Sequence, residues 1–147
     1  KNSLKAAIDL GIAMQLTNIA RDVIEDSKMN RSYINSNFES IIKTLKLADS
    51  FYESSFKSIK EIPLSSRFGI LVARRVYREI GNKILNKKNM DNYKNSGKIY
   101  VSNFGKINQT LLSIFDLIKL VFTKPGEHLR KDEHSIINEQ INLNERI

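Results

Sequence analysis

The sequence predicts an all-α fold, and three observations support this. Only 6 of the 147 residues are glycine and 2 are proline, so the turn residues of a many-stranded β fold are scarce. Apolar residues recur at helical spacing along four long stretches, and no stretch alternates with the period of a strand. Apolar residues make up 41% and charged residues 27%, the balance of a globular domain with a core.

The helical periodicity predicts four long helices in order. Their expected bounds are 3–27, 38–62, 65–85 and 101–122. Ser3 is the expected N-cap of the first helix, and Ser65 or Ser66 that of the third. Pro63 is expected to end the second helix, because proline cannot continue one.

The segments between and after these helices are polar. Residues 86–97, with the sequence NKKNMDNYKNSG, are expected to form a connector. Residues 127–147 are expected to form a loose helix or a frayed tail. We therefore expect one domain over 1–126, followed by a tail.

The residue inventory excludes several kinds of site. The chain has no cysteine, so it can form neither a disulfide nor a thiolate metal site. Its only histidines, His128 and His134, lie in the polar tail, which removes most zinc sites and most histidine-activated nucleophiles. Any catalysis must rest on carboxylates, amides, tyrosines and basic residues.

The formal net charge of +8 fits three kinds of partner. They are a nucleic acid, an anionic membrane surface and a phosphorylated substrate. A solvated, lysine-rich surface explains the charge equally well, because the lysines are spread along the chain.

The first predicted helix carries a narrow polar stripe. Gln15, Asn18, Asp22 and Asp26 fall within about 80° of one another on a helical wheel, and Gly11 lies among them. Apolar residues border the stripe, unlike the wide, lysine-rich polar face of a surface helix. We therefore expect a buried helix whose carboxylates point into a cavity, where a cation must offset their desolvation.

The spacing of the two aspartates suits a hard divalent cation. Asp22 and Asp26 are separated by a rise of about 6 Å, and Mg²⁺ commonly takes one or two carboxylates plus water and phosphate oxygens. Asn18 offers an amide oxygen, and Arg21 lies to one side, available to a phosphate or to Glu25. The alternative is a solvent-facing helix end with an arginine and three acids.

Three stretches of the sequence resemble a known family. LGIAMQLTNIARDVIEDSKMNRSY resembles the second aspartate-rich motif of squalene and phytoene synthases, with the amides and acids in register. ARRVYREIG, residues 73–81, resembles the family's downstream ARxxYxxIG stretch. KIYVSNFGKI, residues 98–107, is a weaker match. The matches follow the family's order over most of residues 1–110.

The resemblance implies a fold, a metal and a set of roles. It implies an all-α isoprenoid synthase fold, with helices around a central cavity that binds two prenyl diphosphates and Mg²⁺, or alternatively Mn²⁺. The catalytic residues that it implies are Asp22, Asp26 and Tyr77. The metal ligands that it implies are Asn18, Asp22 and Asp26. The substrate-binding residues that it implies are Gln15, Asn18, Arg21, Arg31 and Lys98.

Three of these residues have a structural alternative. Tyr77 is equally explained as a core tyrosine with a bonded hydroxyl, and Lys98 as a surface lysine. Arg31 is equally explained by an ion pair with Asp26 or Glu25 that caps the helix.

The sequence departs from the family in three ways. The first aspartate-rich motif is absent, Asn30 and Asn35 replace the family's usual Gly and Pro, and the linker after Tyr33 is short. The chain also lacks an initiator methionine. We therefore expect the C-terminal half of a synthase, inactive alone.

The implied reaction is the head-to-head condensation of two geranylgeranyl diphosphates to phytoene through a cyclopropyl diphosphate, a step of carotenoid biosynthesis. An alternative is a squalene or dehydrosqualene synthase using farnesyl diphosphate, with NADPH only for squalene. An alternative of another class is a non-catalytic relative that acts as an assembly factor. A nucleic-acid partner is not expected. We expect a cytoplasmic protein, with peripheral membrane contact through residues 111–122 as an alternative to core packing.

Overall fold

The computed structural model describes residues 2–124, with side chains from Leu4 onward. Five α-helices and one 3₁₀ turn make up this part of the chain, which contains no strand, and the all-α prediction is confirmed. The elements are α1 (Asn2–Lys28), α2 (Phe38–Phe56), the 3₁₀ turn (Lys57–Glu61), α3 (Leu64–Leu85), α4 (Met90–Asn95) and α5 (Asn103–Phe122). The expected tail at 127–147 lies outside the described residues.

The ends of the helices differ from prediction in three places. The second helix is α-helical only to Phe56 and continues as the 3₁₀ turn. The prediction that Ser65 or Ser66 caps α3 was wrong: Pro63 is the N-cap, and its carbonyl accepts hydrogen bonds from the amides of Ser66 and Arg67 at 3.0 Å each. The expected connector contains α4, whose first turn is capped by the Asn89 side chain.

Small side chains set the packing of α1 against α2. Ala6, Ala13 and Ala20 recur every seven residues on one face of α1 and are at most 3% exposed. Ala13 packs with two large aromatic residues of α2, Phe51 and Tyr52, each 1% exposed, and Ala20 packs in a second cluster with Ile41 and Leu45. This face holds α1 to the rest of the bundle.

Helix α3 lies between α1 and α5 and contacts both of them. Leu71 of α3 and Leu120 of α5 are both fully buried and pack with Phe56 and Ile59. On α5 the side chain of Asp116 also faces α3, where it accepts two hydrogen bonds from Arg75. A polar pair therefore joins α5 to the bundle together with its leucines.

Candidate functional site

The polar stripe of α1 lies on the face opposite the buried Ala6, Ala13 and Ala20. Gln15 and Gly11 are exposed, and Asn18, Asp22 and Asp26 are partly buried. A Cβ added at Gly11 would meet no atom within 4 Å, so the space that the sequence suggested there is present. The small residues of the opposite face are the ones that pack most tightly.

Asp22 is held by two basic side chains. Arg21 donates hydrogen bonds from Nε and Nη2 to its two carboxylate oxygens at 2.8 and 2.7 Å, and Lys98 Nζ lies 3.4 Å from Oδ1. The hydrogen bonds from Arg21 keep the pKa of Asp22 below its ordinary value. The carboxylate is therefore ionised near neutral pH.

Lys98 reaches the stripe from a distant part of the chain. Its ammonium donates a hydrogen bond to Glu25 Oε2 at 2.6 Å, and this contact raises the pKa of Lys98. Lys98 thus lies beside the acids of α1 and is not an isolated surface lysine. Glu25, which the sequence suggested as a partner of Arg21 or Arg31, is one of its anchors.

Asn18 carries the one buried side-chain polar atom without a hydrogen-bond partner in the described part of the chain, its Oδ1. A buried amide oxygen without a partner is costly, and such atoms commonly meet an ion, a water or a ligand. Asn18 precedes Asp22 by one helical turn, so this oxygen and the carboxylate lie on the same side of α1. An oxygen in need of a partner thus lies where the sequence predicts a metal ligand.

Asp26 and Arg31 meet at the end of α1. The carbonyl of Asp26 accepts hydrogen bonds from the amides of Met29 and Arg31 at 2.9 Å each, and the two side chains line a small cleft with Tyr33. Asn30 has a φ of 55°, in the left-handed region that asparagine tolerates better than most residues. Asparagine can therefore occupy this turn, where the family that the sequence resembles usually has glycine.

Tyr77 lies on α3 between the two inner apolar clusters and packs against both. The pKa of Arg21 is raised, first by its hydrogen bond to Asp22 and to a lesser degree by Tyr77, so the phenol lies within electrostatic reach of Arg21. The structure thus brings Arg21, Asp22 and Lys98 together and leaves Tyr77 in their neighbourhood. Arg31 lies at the end of the helix, and its residue is exposed.

Sequence reasoning missed Tyr93. Its hydroxyl donates to the main-chain oxygen of Arg21 at 2.6 Å and lies 3.0 Å from that of Ala20. The residue is 3% exposed. The signal that could have found Tyr93 is that it is the one aromatic residue in the polar segment 86–97.

The donor set suits a hard cation but does not form a closed site. Within residues 2–124 no three Asp, Glu, His or Cys side chains come together as a metal cluster. Two carboxylates and an amide oxygen remain, on Asp22, Asp26 and Asn18. All are hard oxygen donors, and Mg²⁺ bound together with substrate phosphates needs few protein ligands.

Comparisons with known proteins match the part of the chain that contains this stripe. A family model described as squalene/phytoene synthase matches residues 1–38, which include all of α1. The 15-cis-phytoene synthase of Enterobacter agglomerans is 32% identical over 56% of this chain and 35% of its own length. The 15-cis-phytoene synthase of a Paracoccus species is 33% identical over 55% and 33%, and the phytoene synthase of Cereibacter sphaeroides is 35% identical over 55% and 29%.

The match thus spans about a third of the length of these curated relatives. No solved structure matches the chain. The family model covers the aspartate-rich stripe, and the relatives extend the similarity well beyond it. The chain is thus similar to the squalene/phytoene synthase family over α1, and to phytoene synthases over about 55% of its own length.

Proposed function

We propose that the protein containing this chain is a prenyltransferase of phytoene synthase type, which joins two geranylgeranyl diphosphates head to head through a cyclopropyl diphosphate. The observation that carries the proposal is the stripe of α1, where Asp22 is ionised beside Arg21 and Lys98 and the Asn18 oxygen lacks a partner. Two of the relatives are named 15-cis-phytoene synthase. They support the choice of substrate.

The charges around the stripe argue for a divalent cation. The acids Asp22, Glu25 and Asp26 are matched in number by the basic residues Arg21, Lys98 and Arg31. A site of nearly zero net charge offers little attraction to a diphosphate, which brings several negative charges of its own. The added charge therefore requires a metal counter-ion.

Asn18, Asp22 and Asp26 would hold that ion, Mg²⁺ or alternatively Mn²⁺. When bound, the metal supplies Lewis-acid stabilisation of the diphosphate as it leaves the allylic carbon. Arg21 and Lys98, the basic side chains beside these acids, would bind the diphosphate oxygens. Gln15 lies one turn before Asn18 on the exposed edge of the stripe and orients a phosphate or a water.

Tyr77 packs against both apolar clusters and lies within electrostatic reach of Arg21. We place the reacting carbons on this apolar side, because a carbocation survives only where water is excluded. The phenol directs its oxygen toward the diphosphate, near Arg21. Closing the chamber requires a further helix over the stripe, the role of the first aspartate-rich motif in the family that the sequence resembles.

The test is product formation by the full-length protein. Geranylgeranyl diphosphate with Mg²⁺ is expected to give phytoene. Asp22→Ala or Asp26→Ala is expected to lower the rate at least about a hundredfold, since even outer-shell changes at metal sites cost about 10- to 100-fold. Product formation that survives Asp22→Ala would overturn the metal assignment.

Asp49→Ala is the matched control. Asp49 forms the same kind of two-bonded pair, with Arg78 at 2.6 and 3.0 Å, but lies on α2 away from the stripe. Its loss is expected to leave the rate within about twofold. Farnesyl diphosphate, with and without NADPH, separates the squalene alternatives, and no product from either substrate would favour the assembly-factor alternative.

We also propose peripheral membrane contact through α5. No helix within residues 2–124 is long and apolar enough to span a membrane. The outer face of α5 nevertheless exposes large apolar side chains: Phe104, Ile107, Leu111, Ile114, Phe115, Ile118, Val121 and Phe122. Lys106, Lys119 and Lys124 flank this face, an arrangement typical of helices that lie in an anionic interface. Absence of co-sedimentation with anionic liposomes would overturn this proposal.

A further inference from the structure

The 89–101 segment, which contains α4, carries Lys98 to the acids of α1. Tyr93, Ile99 and Val101 of this segment are 3%, 6% and 4% exposed and share one apolar cluster with Ala20 and Val23 of α1. The segment is therefore packed against the helix that bears the stripe.

The turn that presents Lys98 depends on its neighbours. Gly97 has a φ of 62°, in the left-handed region that favours glycine. After it, buried Ile99 and Val101 alternate with Lys98 and Tyr100, so the lysine points away from the cluster. The reach of Lys98 to Glu25 and Asp22 is thus determined by how the segment is anchored on either side.

Tyr93 is the polar anchor of the segment. Its hydroxyl donates to the main-chain oxygen of Arg21, at the residue directly before Asp22, and lies close to that of Ala20. Both oxygens belong to the interior of α1, where a carbonyl keeps a second lone pair besides its helical hydrogen bond. Burial raises the pKa of Tyr93 to about 12, so the phenol stays a donor near neutral pH. One hydrogen bond thus ties the segment to α1 beside Asp22.

We propose that Tyr93 is a positioning residue: its hydrogen bond to the Arg21 carbonyl places the Lys98 ammonium against the acid stripe for diphosphate binding. This inference rests on the proposed function. Tyr93 does not touch the substrate and acts only through Lys98. A tyrosine with only a structural role would stabilise the fold but would not affect diphosphate binding through Lys98.

The test is binding of inorganic pyrophosphate with Mg²⁺ to the full-length protein, measured by calorimetry. Tyr93→Phe keeps the ring in its cluster and removes only the hydroxyl. We expect the pyrophosphate affinity to fall about fivefold, the effect of one lost hydrogen bond. When Lys98 is already replaced by Ala, Tyr93→Phe is expected to change the affinity less than about twofold.

Thermal unfolding separates positioning from stability. Tyr93→Phe is expected to lower Tm equally with and without Lys98, whereas its effect on affinity depends on the lysine. Tyr52→Phe is the matched control: Tyr52 is 1% exposed, and its hydroxyl lies 2.9 Å from Thr17 Oγ1 on the packed face of α1. This control is expected to lower Tm and to keep the affinity.

Three outcomes overturn the inference. Equal affinity losses in Tyr93→Phe and Tyr52→Phe, or a loss from Tyr93→Phe that persists without Lys98, overturn it alone and leave the proposed function intact. Wild type that binds no pyrophosphate with Mg²⁺ overturns the proposed function and this inference with it. If Tyr93→Phe does not fold, Gly97→Ala serves instead, and it must weaken binding only when Lys98 is present.

Discussion

Two arginine–aspartate pairs of the same chemistry serve different parts of the molecule. Arg75 and Asp116 form two hydrogen bonds, of 2.5 and 2.8 Å, between α3 and α5. Arg21 and Asp22 form two, of 2.8 and 2.7 Å, between neighbouring residues of α1. The side chains of both pairs are similarly buried, with at most 25% exposed.

The difference lies in what each pair connects. The α3–α5 pair joins residues 41 apart in sequence, so it holds one helix onto another. The pair on α1 joins two adjacent residues of one helix, so it forms no link between helices. It lies in the polar stripe, where the proposed function uses both side chains in binding.

Removing an apolar anchor of α5 is expected to have the largest effect on stability. Leu120→Ala takes a fully buried side chain out of the cluster with Leu71 and Phe56. We expect the free energy of unfolding to fall by about 3 kcal/mol, because a cavity remains. Chemical denaturation measures this loss. A loss below about 1 kcal/mol would show that α5 does not pack as described.

Replacing the aspartate of each pair is expected to have the next largest effects on stability, and the two losses are expected to differ. Asp116→Ala leaves Arg75 unpaired between two helices, and we expect a stability loss of about 2 kcal/mol, below the value for a fully buried pair because Arg75 is 25% exposed. Asp22→Ala is expected to cost less than about 1 kcal/mol, because Arg21 keeps Glu25 nearby. Equal losses in the two variants, measured by urea denaturation, would break the comparison.

The pair on α1 is expected to depend on pH at the acid end. Arg21 keeps the pKa of Asp22 below its ordinary value in the folded state. The stabilisation is therefore complete above the unfolded pKa of about 4 and is lost as the pH falls through the folded pKa. Arg21→Gln is expected to raise the pKa of Asp22 in an NMR titration. An unchanged pKa would contradict the assignment of Arg21 as its main cause.

The outer face of α5 is expected to show the smallest effect. Phe115 is 66% exposed, so Phe115→Ser is expected to change the free energy of unfolding by less than about 0.5 kcal/mol. The same variant is expected to reduce liposome binding. A stability loss above about 2 kcal/mol would show that another part of the protein covers this face.

The helices were largely predictable, because each carries its own periodicity and stop signals. The bounds of α1 and α5 agree with prediction to within about two residues, the usual uncertainty of helix ends. The cap of α3 was not predictable from its serines, because the Pro63 carbonyl satisfies the first amides without a side chain. The short helix α4 was missed, since only six polar-rich residues form it.

The stripe was predictable as a set of residues but not as a place in the molecule. Helical geometry alone puts Asn18, Asp22 and Asp26 on one side of α1. The side that packs was decided by the small residues opposite, which accept the aromatic residues of α2. Lys98 and Tyr93 contact α1 at residues more than seventy positions away in the sequence, and no local pattern encodes such contacts.

The sequence by itself determined the all-α class, the order of the helices and the chemistry of the stripe, because these depend on neighbours within a turn or two. Tertiary structure alone decided which basic groups meet Asp22 and which face of each helix stays exposed. The reason is that side chains far apart in sequence become neighbours only when packing brings their helices together. Packing of the helices is therefore what leaves the polar face of α1 and the apolar face of α5 on the outside of the bundle.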